Sequence, residues 1–150
     1  MAIWLTGQPT PAQRSIRPLA RFPISKFQTA TNGIVADLLV DTDIFVDHLR
    51  GAARLQLGTD RVLYSVVTRC ELFAGHATEE GAVRQLLAPF EEVPVDRPIA
   101  EGAGRLRRKG GLRTPDALIA ATALEHRLVL VTRNERDFQA VRGLKVRQPR

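Results

Sequence analysis

From Ala36 onward, short apolar runs alternate with stretches of helical period. Leu38, Leu39 and Val40 form a continuous apolar run of the kind a strand buried on both faces shows, and Ile44 to Arg50 follows with helical spacing. Val62 to Val67 (VLYSVV) predicts a second strand leading into a helix through about Ala74, and Glu79 to Leu87 predicts a further helix. Val93 to Val95 suits a short strand, and Ile99 to Lys109 is a helical stretch stopped by Gly110 and Gly111. Thr114 to Arg127 is the clearest helix, with Thr114 expected as its N-cap and Pro115 at its first position. LVLVT (128 to 132) predicts a compact strand, Asn134 caps a short helix over Glu135 to Val141, and Leu144 to Val146 closes the sheet. Strands separated by helices imply an α/β architecture with a mostly parallel sheet covered on both faces. Residues 1–36 follow no such period. Pro9, Pro11, Pro18 and Pro23 interrupt them, and they are expected to form an extension with little fixed structure.

A chain of 150 residues is the size of one domain with a sizeable core. Hydrophobic residues at 44% and charged residues at 25% give the balance of a globular protein. No run approaches the roughly 18 apolar residues of a membrane span, and the N-terminus lacks a signal-peptide core, so a cytoplasmic protein with no membrane contact is expected. The one cysteine, Cys70, has no internal partner, and its apolar neighbours lead us to expect a buried, inert thiol. The net charge of +6 is unevenly placed: Arg14, Arg17, Arg21 and Lys26 lie in an acid-free tail. That leaves 18 of the 22 basic residues against all 16 acids in residues 37 to 150, a balance of +2. The tail slightly resembles an organellar transit peptide, but the simpler expectation is that translation begins near Val35 and the tail is an upstream over-extension. A second basic cluster, RLRRKGGLR, carries Arg105, Arg107, Arg108, Lys109 and Arg113. It suits a polyanion such as nucleic acid, and a solvated helix end accounts for it equally well.

The acids carry the chemistry. Asp41 and Asp43 interrupt LLVDTDIFVD (38 to 47) between two apolar flanks, where carboxylates cost free energy unless paired, hydrogen-bonded or bound to a cation. Asp41 follows the first predicted strand, Glu71 falls in the first turn of the helix after the second, Asp116 opens the 114 helix, and Asp137 follows LVLVT. Ligands of an open parallel sheet bind at the carboxyl ends of its strands, where these positions converge. Each has a plainer reading: Thr68 to Glu71 fits a capping box, Asp116 suits a helix N-terminus, Asn134 and Asp137 fit a cap, and Asp43 can cap the helix it precedes. Capping explains one of Asp41 and Asp43 but not both. A ring of carboxylates with no basic residue fixed among them repels itself, and divalent cations neutralise such a ring. Oxygen donors suit Mg2+ or Mn2+, whereas His48, His76 and His126 are isolated and offer no zinc set. No Ser-His-Asp or Cys-His arrangement and no phosphate-binding glycine loop is present.

LLVDTDIFVD, YSVVTRCELFAG (64 to 75) and TPDALIAATALEHRLVLVTRNERDF (114 to 138) resemble, in order, the motifs of PIN-domain ribonucleases, and most closely the VapC toxins of bacterial toxin-antitoxin pairs. The resemblance covers about residues 37 to 148 and implies a PIN-like α/β/α sandwich. It also implies a Mg2+- or Mn2+-dependent endoribonuclease acting on RNA, a cognate VapB-like antitoxin and a homodimer. By position, Asp41, Glu71 and Asp116 match the family's first three acids as catalytic metal ligands. The fourth falls on Asn134 or Asp137, and Asp137 is preferred because an amide supplies no charge; Asp43 is a supporting residue. Arg113 and the 105 to 109 cluster are expected to meet RNA phosphates.

Two other readings remain at this level. Asp41-Thr42-Asp43 after a strand also resembles the opening of a haloacid-dehalogenase-type phosphatase, which uses the first Asp as nucleophile and the second as acid/base. Val46 stands one residue beyond the Thr or Val that pattern needs, and Lys109 lies in a basic run rather than after a strand. The alternative without catalysis is an RNA- or protein-binding module whose acids only cap helices.

Overall fold

The computed structural model describes residues 36–52, 60–75 and 79–149. The expected N-terminal extension, all but Ala36 of it, and His76 lie outside the described residues. In chain order the elements are β1 (Asp37–Val40), α1 (Thr42–Leu49), β2 (Arg61–Ser65), α2 (Val66–Phe73), α3 (Glu80–Leu87) and β3 (Glu91–Val93). They continue with α4 (Arg97–Gly110), α5 (Thr114–His126), β4 (Val129–Val131), α6 (Glu135–Phe138) and β5 (Lys145–Arg147). The five strands form one parallel sheet in the order β3-β2-β1-β4-β5. Side chains alternate across it with period 2. Leu39, Leu63, Val93 and Leu130 face a core completed by α4 and α5 residues such as Ile99, Ala103, Ile119 and Ala120. Leu38, Val40, Tyr64 and Val131 face the other way, onto Ile44, Phe45, Leu72, Val83 and Leu87. The result is the expected α/β/α sandwich. Because β2 and β3 are added to one side of β1 and β4 and β5 to the other, the order of strand addition reverses at β1, and the crevice beyond β1 and β4 is the switch point where such sheets bind ligands.

Several expected boundaries move, each for a local reason. VLYSVV is not all strand: Ser65 takes extended backbone, its hydroxyl accepts the Val67 N–H at 3.2 Å, and the helix starts at Val66. Thr68 to Glu71 is therefore no capping box, and Glu71 lies in the second turn of α2 rather than the first. Thr68 and Leu72 point inward from α2, which leaves Cys70 on the outer face; the thiol is exposed, not buried. The third strand lies at Glu91–Val93, upstream of Val93 to Val95. Its charges are tolerated at a sheet edge, where Glu91 pairs with Arg61 and Glu92 with Arg69. α4 begins two residues before Ile99 because Asp96 accepts the Ile99 N–H at 3.0 Å. Arg113, not Thr114, holds the N-cap position of α5, with no side-chain capping bond.

Candidate active site

Of the five buried polar side chains among the described residues, Asp41, Ser65, Thr68 and Thr132 lie at or just past the carboxyl ends of β1, β2 and β4. Buried polar groups must find partners, so their concentration at one sheet edge marks a built site. Asp41 is the N-cap of α1, accepts the Thr42 N–H at 2.7 Å, and is 7% exposed. Its own N–H donates to Val131 O at 2.9 Å, which fastens the ends of β1 and β4 together. Burial first, then the charge of Asp43 and more weakly that of Asp116, push its carboxyl up to about 7 against hydrogen bonds from Thr132 and the Thr42 N–H. Asp43 does not cap α1. Its Oδ2 accepts the Arg133 N–H at 2.9 Å and the Thr132 hydroxyl at 3.3 Å, tying α1 to the loop after β4. Burial raises the Asp43 pKa, those two donors pull it back, and Asp47 adds to the rise. Arg133 in turn pairs with Asp47.

The other expected acids reach the same edge from separate segments. Glu71 accepts the Thr42 hydroxyl through Oε2 at 2.6 Å, and Thr42 Oγ1 is 3.2 Å from Thr68 Oγ1. Asp116 accepts Arg113 Nε at 3.0 Å across the first turn of α5; its side chain is 14% exposed, that of Arg113 77%. Asn134 holds the expected N-cap position of α6, without a side-chain capping bond. Its amide donates to Asp137, while its N–H donates to Thr132 Oγ1 at 3.0 Å. The two candidates for the fourth position thus form one unit in which the amide holds the carboxylate. Arg113 joins the group: its pKa is raised by the hydrogen bond to Asp116 first, with the Glu71 and Asp137 carboxylates contributing. The sequence reading had no basic residue fixed among the acids; the structure has one. Thr42, Thr68 and Thr132 were also missed as site residues. The signal for them was a hydroxyl residue within two positions of the end of a buried strand, or one turn beyond it, but their partners lie up to 89 residues away in sequence.

The donor chemistry fits a hard divalent cation. All the site acids present oxygen, Asp43 Oδ1 is buried with no protein partner, and Asp41 carries its charge only reluctantly without compensation. Among the described residues no three His, Cys, Asp or Glu side chains stand close enough together to grip one ion. Zinc demands three or four close protein ligands, whereas Mg2+ keeps several waters and takes one or two carboxylates, so the open arrangement suits the latter.

The parallel sandwich with its acid-lined switch point defines a PIN domain, and residues 38–144 match the PIN domain family. The chain belongs to that family. It is 35% identical to Ribonuclease VapC19 of Mycobacterium tuberculosis, covering 67% of this chain and 90% of that protein. Its fold is similar to that of a toxin-antitoxin complex from Klebsiella pneumoniae, with a TM-score of 0.64 and 33% identity over 75% of this chain and 98% of that one. It is likewise similar to VapBC-5 of Mycobacterium tuberculosis, with a TM-score of 0.55 and 31% identity over 77% and 98% of the two chains. The phosphatase reading of Asp41-Thr42-Asp43 falls with this membership. Among the described residues no helix is long and apolar enough to cross a membrane.

Proposed function

We propose that this chain is a Mg2+- or Mn2+-dependent endoribonuclease, the toxin of a VapBC-type pair held inactive by a VapB-like antitoxin. The observation that carries the proposal is the buried Asp41 carboxylate at the β1/β4 switch point, within the electrostatic reach of Asp116, in a PIN domain similar to a named VapC ribonuclease; Glu71 and Asp137 approach the same end of the sheet through Thr42 and Asn134. Asp41 and Asp116 would hold the ion, and Glu71 and Asp137 would act on it through bound water. The bound ion supplies positive charge to the scissile phosphate and lowers the pKa of water at the site. Thr42 fixes the Glu71 carboxylate, and Asn134 fixes that of Asp137, so that each can orient the attacking water and accept its proton. Asp43, bonded to Thr132 and to the Arg133 N–H, ties the start of α1 to the end of β4 beside Asp41. Residues 37–148 form the catalytic domain, and residues 1–36 are dispensable for it.

Expression of the chain alone should arrest growth, and co-expression with the small gene immediately upstream should restore growth and yield a soluble, inactive complex. Growth arrest that no adjacent gene product relieves would leave a free-standing nuclease in place of a toxin. Absence of both arrest and RNA cleavage would refute the enzyme reading.

A further inference from the structure

Outside the carboxylates, charge is most uneven at the C-terminal end of α4. Residues 102–115 contain Arg105, Arg107, Arg108, Lys109 and Arg113 and no acid. Arg105 is engaged by Glu101 one turn back at 3.8 Å. Arg107, Arg108 and Lys109 are exposed, and among the described residues they take part in no ion pair. The dipole of α4 favours cations at this end, which accounts for their being tolerated. It does not account for three of them left uncompensated beside a cluster of acids.

Their position is fixed relative to that cluster. Gly111, with φ +67°, ends α4 in the left-handed conformation, and buried Leu112 anchors the connection to α5. Further back, a Cβ on Gly102 would stand 3.4 Å from Ala121 Cβ, so the absence of a side chain there lets α4 lie close on α5. The basic end of α4 is thereby held against the N-terminus of α5, where Arg113 bonds Asp116. Lys109 and Arg113 are four residues apart, at most about 14 Å of chain. On the other flank of the site, Arg133 is engaged by Asp47, and Arg136 is a single exposed cation.

We propose that Arg107, Arg108 and Lys109, continued by Arg113, form a track that leads the sugar-phosphate backbone of single-stranded RNA into the carboxylate site. The proposal rests on the endoribonuclease reading and gives it a direction of approach, over the α4–α5 corner. Contacts of this kind grip phosphates and carry no sequence information, in keeping with a chain only 5% aromatic and poor in stacking surfaces.

The test uses the full chain with a chelator present, so that RNA is bound and not cut. Binding of a labelled single-stranded RNA oligonucleotide is followed by fluorescence anisotropy across a salt series. One variant carries Arg107→Gln, Arg108→Gln and Lys109→Gln. A control carries Arg127→Gln, Arg142→Gln and Lys145→Gln, three exposed cations at the opposite edge of the sheet. The tail is identical in every protein and cancels. The track variant should lose about tenfold or more in affinity at low salt. Its log–log salt slope should be shallower by roughly 2, as expected for three phosphate contacts on a single strand. The control should stay within about twofold of the parent. Equal losses in the two variants, or an unchanged slope in the track variant, overturn the proposal. So does unchanged RNA binding combined with loss of co-purification of the antitoxin, which would make the patch a protein-docking face. If the parent cuts RNA with Mn2+ while the track variant binds normally, only the track fails; if the parent cuts none, the endoribonuclease reading fails with it.

Discussion

At the scale of single residues, Asp41 sets the physics of the site. Its folded-state pKa of about 7 lies above the ordinary 3.8, so the metal-free folded protein holds a proton that the unfolded chain releases. Stability from this group is therefore fully present below about pH 4 and is lost as pH rises toward 7, by an amount on the order of a few kcal/mol. Asp41→Asn removes the titration. In chelator, the melting temperature of the variant minus that of the parent should grow between pH 4 and pH 7 and then level off; parallel profiles would show that Asp41 titrates normally. Mn2+ should raise the parent's melting temperature more at pH 8 than at pH 5.5, because only the ionised carboxylate binds the ion. Asp116→Ala should abolish RNA cleavage while costing about 1 kcal/mol or less, since it removes a helix N-terminal charge and a pair with an exposed arginine. Calorimetric unfolding alongside the activity assay separates those effects. Thr42→Val keeps all four acids but frees Glu71, and turnover should fall by roughly 10- to 100-fold with little change in fold.

At the scale of elements, the strand and helix order was legible because buried parallel strands read as unbroken apolar runs, and LLV and LVLV are such runs. Asp41 and Asp116 were legible as edge residues for the same reason: once the strands are placed, the end of a strand and the start of a helix follow. What could not be read were the contacts that reset local preference. Val66 and Val67 have strand propensity, yet the Ser65 hydroxyl and the packing of Thr68 and Leu72 make them the first turn of a helix. The exposure of Cys70 and the second-turn position of Glu71 both follow from that shift. The Arg113–Asp116 pair closes within one helical turn, yet the influence of Glu71 and Asp137 on Arg113 depends on tertiary proximity that periodicity does not encode. The α4–α5 corner offers a test at this scale. Gly111→Val forces a β-branched residue into left-handed backbone and should destabilise the fold by about 1–2 kcal/mol, seen as a melting temperature lower by several degrees. An unchanged melting temperature would show that the corner does not hold this conformation in solution.

At the scale of the whole molecule, the described residues from Ala36 onward belong to one compact unit that contains both core clusters and every site residue. A chain beginning at Val35 should melt within a few degrees of the full protein and cleave RNA at the same rate; a drop of many degrees would mean that the tail contributes to the core. An antitoxin that inserts an arginine or lysine among the acids would compete with the metal, so Asp41→Asn should weaken Mn2+ and antitoxin binding together. Unchanged antitoxin binding would mean inhibition by covering the site. The proposed nuclease requires a divalent ion held by the acids at the β1/β4 switch point for internal cleavage of RNA. This requirement is tested most directly by incubating the antitoxin-free protein with total cellular RNA and mapping the new ends, with Mn2+ or chelator, for the parent and for Asp116→Ala. Discrete internal ends are expected for the parent with Mn2+ and none in the other three reactions. Cleavage that persists in chelator, or in Asp116→Ala at the parent's rate, would contradict it.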